Sequence, residues 1–191
     1  MKTLAIASIV GSVILFIYLA LSHVVLPVHH NDFKYTPEQE SILSAMSTGF
    51  HEDGTYFLPN VPPGTSSEEH MKNMEQNLGK PYAIITYHAA MRGESPMIFI
   101  MSFVYNLISV LIICVALAAA SSKLTSFRQK LWFVMLFAFF TIFSQIMLDY
   151  NWLMTPMHYL LGYIIDLIVG YLLVGIWLAW YYGRLARANV S

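Results

Sequence analysis

The segment His158–Tyr182, HYLLGYIIDLIVGYLLVGIWLAWYY, decides the fold because it places an acid inside a run long enough to cross a bilayer. Gly162, Asp166 and Gly170 recur at every fourth residue, so they form one stripe on a helix. A carboxylate that faced hydrocarbon would cost about 2.5 kcal/mol or more. We therefore expect the stripe to pack against protein and not against lipid.

The composition of the whole chain is that of a membrane protein. Of its 191 residues 57% are hydrophobic and only 11% are charged, which differs clearly from the balance of a soluble domain. The single cysteine, Cys114, lies in a hydrophobic run. It excludes an intramolecular disulfide, a CxxC redox pair and a thiolate-only metal site, and we interpret Cys114 as a packing residue.

Four apolar runs are long enough to span a membrane. They are Leu4–Leu26, Met97–Ala120, Leu131–Leu148 and His158–Tyr182. The predicted fold is an α-helical integral membrane protein, a four-helix transmembrane bundle with a small α/β extracytoplasmic insertion between helices 1 and 2. Transmembrane helix 1 is predicted over residues 1–26, and the insertion over residues 27–96. Helices 2–4 follow within residues 97–191, which also contain a short cytoplasmic loop at 121–130 and a cytoplasmic C-terminus.

The distribution of basic residues predicts the orientation. If the chain crosses four times, six of them fall on one side: Lys2, Lys123, Arg128, Lys130, Arg184 and Arg187. By the positive-inside rule that side is cytoplasmic, so both termini lie inside and 27–96 lie outside. The insertion holds four basic and nine acidic residues, which argues against binding nucleic acid. Alternatively, cleavage after a signal at Ala20-Leu21-Ser22 would leave three spans.

The insertion has the predicted order α-β-α-β. Thr36 is predicted as the N-cap of the first helix, with Gln39 closing a capping box, and a second box spans Ser66–Glu69. Thr55–Leu58 and Tyr82–His88 are predicted strands. A domain of this size buries too little surface to be stable alone. We expect its apolar helix faces to pack on the membrane bundle or on a partner, either another protein or a second copy of this chain.

Polar residues recur at helical spacing on every span. Asn106, Gln145, Asp149, Asp166 and His23 all belong to the outer half. One interpretation is interhelical hydrogen bonding and close packing, which are common in bundles. The other is an externally open polar cavity, in which Asp166 would pair with Asn106 or Gln145.

The seven histidines fall on or near the outer side, together with several methionines. Imidazole and thioether groups together suit copper, and His23, His88 and His158 are the candidate ligands. Recognised Cys/His ligand spacings are missing, so the identity of any cofactor stays open. The motifs HExxH, GxSxG, GxxxxGK[ST] and GxGxxG are also missing, which favours a non-enzymatic protein and leaves enzyme chemistry open as an alternative.

Several short motifs give the chain a resemblance. They are Gly11 with Ser22-His23 and Leu26-Pro27, the run Gly54–Pro59, the run Gly79–Ala83, and Asp166 with Gly170. With these motifs the chain resembles a family of bacterial inner-membrane proteins with four predicted transmembrane helices and a periplasmic loop domain. The resemblance implies a bacterial inner membrane and a periplasmic insertion, and it carries no activity and no functional residues.

Three function hypotheses follow. The first is a non-enzymatic accessory or interaction subunit of a cell-envelope complex, based on the undersized insertion and the missing catalytic motifs. The second is a periplasm-facing membrane protein that binds copper or another small ligand. The third is membrane-embedded enzyme chemistry on a lipid or envelope substrate, for which no recognisable site is present.

Overall fold

The computed structural model describes residues 2–93 and 95–188, which divide into two compact units. The helical unit contains residues 2–34 and 95–188, and the second unit contains residues 35–93. In chain order the elements are α1 (Lys2–Val24), α2 (Gln39–Gly49), β1 (Gly54–Leu58), α3 (Ser67–Gln76), β2 (Ala83–Tyr87), α4 (Pro96–Ala119), α5 (Phe127–Thr141), α6 (Met147–Trp152) and α7 (Met157–Ala188).

Four helices are long and apolar enough to cross a membrane, as predicted. They are α1, α4, the continuous helix Phe127–Trp152 and α7. The third is longer than the predicted run Leu131–Leu148 at both ends, because it begins directly after a capping box at Ser126 and continues to Trp152. Within it, α5 and α6 are joined through a π-helical turn, Ile142–Ile146. Apolar side chains cover most of these helices, which suggests a multi-pass membrane protein in contact with lipid.

The core of the helical unit forms where small residues let helices approach. α1 packs against both α4 and α7, and α5 packs against α7. At Gly11 an added Cβ would lie 2.8 Å from Cγ1 of Val110, and at Gly170 it would lie 2.8 Å from Cδ1 of Leu15. Glycine thus allows the close approach on both sides of α1. Cys114 is fully buried in this core, which confirms its predicted packing role.

The two ends of the helical unit differ in charge. The basic end is where α1 and α5 begin and α4 and α7 end, and it carries the six basic residues named above. Lys130 is buried there and donates from Nζ to the carbonyl of Thr125. The histidine end is the opposite end, formed by residues 23–34, 95–98 and 152–158. Residues 27–34, predicted as part of the insertion, belong to the helical unit at this end.

The second unit contains the predicted α-β-α-β order, with β1 and β2 paired antiparallel. Ser66 caps α3 by accepting from the backbone N–H of Glu69, which confirms the N-cap of that capping box, while the Glu69 carboxylate accepts from the Ser66 hydroxyl at 3.2 Å. The predicted N-cap at Thr36 is wrong, because α2 begins only at Gln39. The hydroxyl of Thr36 instead accepts from the N–H of Glu38, a local turn that delays the helix.

Candidate functional site

Asp166 of α7 is the centre of a buried polar cluster that joins α7 to α1. Its Oδ1 accepts hydrogen bonds from the hydroxyls of Ser22 and Tyr18, the latter at 3.1 Å. Its Oδ2 lies 3.0 Å from Nε2 of His29. Tyr18 and Ser22 are four residues apart, so one face of α1 supplies both hydroxyls. The predicted stripe of Gly162, Asp166 and Gly170 therefore faces protein, as expected.

His29 is held between two carboxylates. A 3-10 turn, Pro27–His29, follows α1, and Nδ1 of His29 lies 2.7 Å from Oδ2 of Asp32. Both ring nitrogens thus face carboxylate oxygens, an arrangement that the imidazolium, with two N–H donors, satisfies. Burial lowers the pKa of His29, but the hydrogen bonds to Asp32 and Asp166 outweigh burial and leave the pKa raised. The two carboxylates therefore favour the protonated form of the His29 ring.

Gly162 provides the space that the His29 ring occupies. A Cβ added at Gly162 would lie 2.7 Å from both Cε1 and Nδ1 of His29, closer than real contacts allow. The ring also meets Tyr163 edge to face, with centroids 5.4 Å apart. The hydroxyl of Tyr163 donates in turn to that of Tyr159 at 3.2 Å. The first two turns of α7 therefore form the surface against which His29 packs.

His23 covers the exposed side of the cluster. Its ring stacks on that of His29, with centroids 3.9 Å apart and an angle of 23° between the ring planes. Its Nδ1 lies 3.1 Å from the carbonyl oxygen of Leu19 and 3.6 Å from Oδ2 of Asp166. Because a carbonyl only accepts, Nδ1 donates to Leu19 in this geometry. The His23 side chain is 49% exposed, so the cluster is accessible from this side.

A half-open cavity of about 600 Å³ lies beside the cluster, with polar side chains set in a mainly apolar wall, and is called the polar cavity below. Its polar lining includes His23, Asn106, Gln145, Asp149 and Asp166. Nε2 of Gln145 donates weakly to Asp149, at 3.3 and 3.4 Å from the two carboxylate oxygens. Nδ2 of Asn106 is buried and has no hydrogen-bond partner among the described residues. A buried donor without a partner costs about 1–3 kcal/mol.

The π-helical turn Ile142–Ile146 lies at the level of this cavity. Thr141, Gln145, Ile146 and Asp149 all line the cavity, so the turn forms part of its wall. Isolated π turns interrupt regular helical hydrogen bonding and occur frequently at functional sites. The helix is therefore locally widened where its polar side chains face the other helices.

The cluster also offers three ligand atoms to a metal ion. Nitrogens of His23 and His29 and a carboxylate oxygen of Asp166 lie within 4.8 Å of one another. Ligands at about 2.0–2.1 Å around tetrahedral zinc are separated by about 3.3 Å, close to the distances found here. Asp32, bonded to the far nitrogen of His29, is the outer carboxylate that metal-binding histidines usually have. To bind the same ion as His29 and Asp166, His23 would have to turn away from Leu19, because its Nδ1 now donates to the carbonyl of that residue.

The structure brings together most, but not all, of the residues predicted from the sequence. Asn106, Gln145, Asp149 and Asp166 line one cavity with His23. His158 is exposed at the start of α7 and is not part of the cavity lining. His88 belongs to the second unit, where its Nδ1 lies 3.0 Å from Oδ2 of Asp53.

The partners of Asp166 differ from those predicted. It pairs with Tyr18, Ser22 and His29, and neither Asn106 nor Gln145 bonds to it. Ser22 could have been found, because at 100° per residue it lies on the same face of α1 as the buried Ser8 and Ser12. The roles of His29 and Asp32 depend on the turn after α1, for which the sequence gives no spacing rule.

Comparisons of the chain with protein-family models, curated protein sequences and solved structures return no match. Membership of the bacterial inner-membrane family suggested by the short motifs stays a prediction.

Proposed function

We propose that the protein binds a small ligand in the polar cavity at the histidine end. The observation that carries the proposal is a cavity of about 600 Å³ lined by polar side chains from several helices, among them Asn106, whose buried Nδ2 has no hydrogen-bond partner among the described residues. Pockets of roughly 300–1,000 Å³ with a few polar groups among apolar ones are typical of small-molecule sites.

Binding takes place in the bacterial inner membrane, on its periplasmic side. The support is the charge at the two ends of the helical unit. All six basic residues of the positive-inside argument lie at the basic end, which is then cytoplasmic together with both termini. The histidine end, with Asp32, Asp149 and Asp166, then opens toward the periplasm.

The test is to purify the whole protein in mild detergent and identify co-purified small molecules by mass spectrometry. The expected result is one class of molecule in near-stoichiometric amount. Asn106→Leu removes the donor and should reduce the retained amount about tenfold, the effect of about 1.4 kcal/mol. Ser102→Ala is the matched control, because Ser102 lies one turn earlier on α4, is exposed and bonds only to the carbonyl of Ile98. Full retention by Asn106→Leu would contradict the proposal.

A second candidate is a metal-binding protein, favoured by the three converging ligand atoms of His23, His29 and Asp166. Copper or zinc suits two imidazoles and a carboxylate. Elemental analysis of the same preparation should then find near-stoichiometric metal that is lost in His29→Ala. The His158→Ala variant is the control, because His158 is exposed and lies outside the cluster. Metal content unchanged in His29→Ala would exclude this site.

An accessory role in an envelope complex stays a prediction. It is supported by the second unit, in which Leu43, Met71 and Leu78 are each more than half exposed. A constant companion protein in the mild-detergent preparation would support it, and a lone monomer would contradict it.

A further inference from the structure

A second, apolar groove continues the polar cavity toward the middle of the helical unit. It has a volume of about 640 Å³ and is lined mainly by aliphatic and aromatic side chains of α4 and α5, among them Ile112, Leu136 and Phe140. Ser109, Thr141 and Tyr171 line both spaces. The two are therefore contiguous, with a polar end at the histidine end and an apolar end deeper in the bundle.

The groove opens at the side of the bundle where lipid chains would lie. α4 packs mainly on α1, and α5 packs mainly on α7, so the seam between α4 and α5 is loosely closed. The groove-lining residues Ile112, Leu136 and Phe140 are 57%, 58% and 72% exposed. A hydrocarbon chain could therefore enter the groove sideways from the bilayer without crossing a polar surface.

The charges of the polar end select the head group. The ionisable side chains that line the cavity are Asp149, Asp166 and His23 together with tyrosines, and among the described residues neither lysine nor arginine lines either space. Asp166 already accepts from Tyr18 and Ser22 and faces His29, whereas Asp149 has only the weak bond from Gln145 among the described residues. An anionic head would be repelled here, and a cationic head would find in Asp149 a carboxylate whose side-chain partner among the described residues is the neutral amide of Gln145.

We infer that the cavity takes an amphiphile with a protonated amine head and a single hydrocarbon chain, which enters from the bilayer between α4 and α5. The amine lies against Asp149, a hydrogen-bond acceptor next to the amine faces Asn106, and the chain lies along the apolar groove. This inference rests on the proposed function, because it names the class of ligand for the same cavity.

The experiment uses the full chain in nanodiscs of zwitterionic lipid. The probe is a long-chain alkylamine that carries a photoreactive diazirine near the chain end, and the labelled peptides are identified by mass spectrometry. Label is expected on α4 and α5 around Ile112, Leu136 and Phe140. Unlabelled alkylamine should compete at least about tenfold better than the alcohol of equal chain length, and the matching carboxylate should not compete. Butylamine, which lacks the chain, should compete poorly.

Two variants distinguish recognition of the amine head group from binding of the hydrocarbon chain. Asp149→Asn should abolish the preference for amine over alcohol while the chain still labels the groove, and Leu136→Trp should block labelling. The head-group series on the unmodified protein does not depend on how either variant folds. Equal competition by amine, alcohol and carboxylate would overturn the amine inference. So would unspecific labelling of all four spans. In either case a co-purified small molecule lost in Asn106→Leu would leave the proposed function standing, and the lack of any such molecule would overturn both.

Discussion

Two aspartate–histidine pairs in this chain have the same length and opposite surroundings. His29 and Asp166 approach to 3.0 Å with side chains that are 10% and 7% exposed, whereas His88 and Asp53 approach to 3.0 Å at 58% and 45% exposed. Water and ions screen the second pair and reach the first poorly. Because the two distances are equal, we expect burial to set how much each pair contributes to stability, and substitutions in both pairs measure the difference.

The largest loss of stability is expected from Asp166→Ala. The change leaves His29, Ser22 and Tyr18 without their common acceptor inside the helical unit. Breaking a buried charged pair from one side costs about 3–5 kcal/mol, so the free energy of unfolding should fall by at least about 3 kcal/mol. Titration of the detergent-solubilised protein with a denaturing detergent would measure the loss.

Asp149→Ala is the control for this loss. Among the described residues the Asp149 carboxylate accepts only a weak hydrogen bond from Gln145, so the substitution should lower the free energy of unfolding by less than about 1 kcal/mol. Asp166→Asn should be intermediate, since the amide oxygen still accepts from Ser22 and Tyr18. Equal stability of the Asp166→Ala and Asp149→Ala variants would mean that the buried cluster contributes no more than an exposed carboxylate.

The next largest effect is expected from Gly162→Ala, which acts on the same pair without removing a charge. The added methyl would displace the His29 ring and lengthen its bonds to Asp32 and Asp166. Forced displacement in a packed interior costs about 1–3 kcal/mol. Thermal unfolding in detergent should show a lower midpoint temperature.

Gly183→Ala is the matched control for this substitution. It lies on the same helix, and among the described residues no atom beyond its own helical turn lies within 4 Å of the added Cβ, so the variant should gain up to about 1 kcal/mol from helix propensity. A Gly162→Ala variant as stable as Gly183→Ala would show that His29 moves without cost, and hence that its two carboxylate contacts are dispensable.

The sequence predicts the aspartate of the buried pair but not its histidine. The four spans and the buried stripe of Asp166 were predictable, because a bilayer demands long apolar helices and protein-facing acids. The position of His29 was not, since it depends on a turn after α1 that returns the chain onto Gly162. The π turn Ile142–Ile146 was also missed, because its residues IFSQI read as an ordinary apolar helix segment.

In the exposed pair, Asp53→Ala should have a much smaller effect. Asp53 accepts from the backbone N–H of Ala89 at 2.9 Å and faces His88 and, at 3.9 Å, Arg92. All of these groups are solvated, so global stability should stay close to that of the unmodified protein. The expected change is local, a faster hydrogen exchange of the Ala89 amide with the helices of the other unit unaffected. A large loss of global stability would mean that exposure does not weaken this pair.

The smallest effect is a pH dependence of the same local contact. The backbone N–H of Ala89 lowers the pKa of Asp53 most, and His88 and Arg92 lower it further, against a slight opposing effect of burial. Because the pKa is lower in the folded than in the unfolded chain, the stabilisation is complete above the ordinary aspartate pKa of about 3.9 and is lost as the pH falls through the folded value.

Hydrogen exchange of the Ala89 amide, corrected for the intrinsic pH dependence, should therefore show protection that is constant above about pH 5 and declines in acid. In the Asp53→Ala variant, the Ala89 amide should show the weak protection expected in acid at every pH. If instead the protection were lost as the pH rises through the histidine range, the controlling group would be His88, and the exposed pair would depend on the charge of its histidine rather than on the carboxylate.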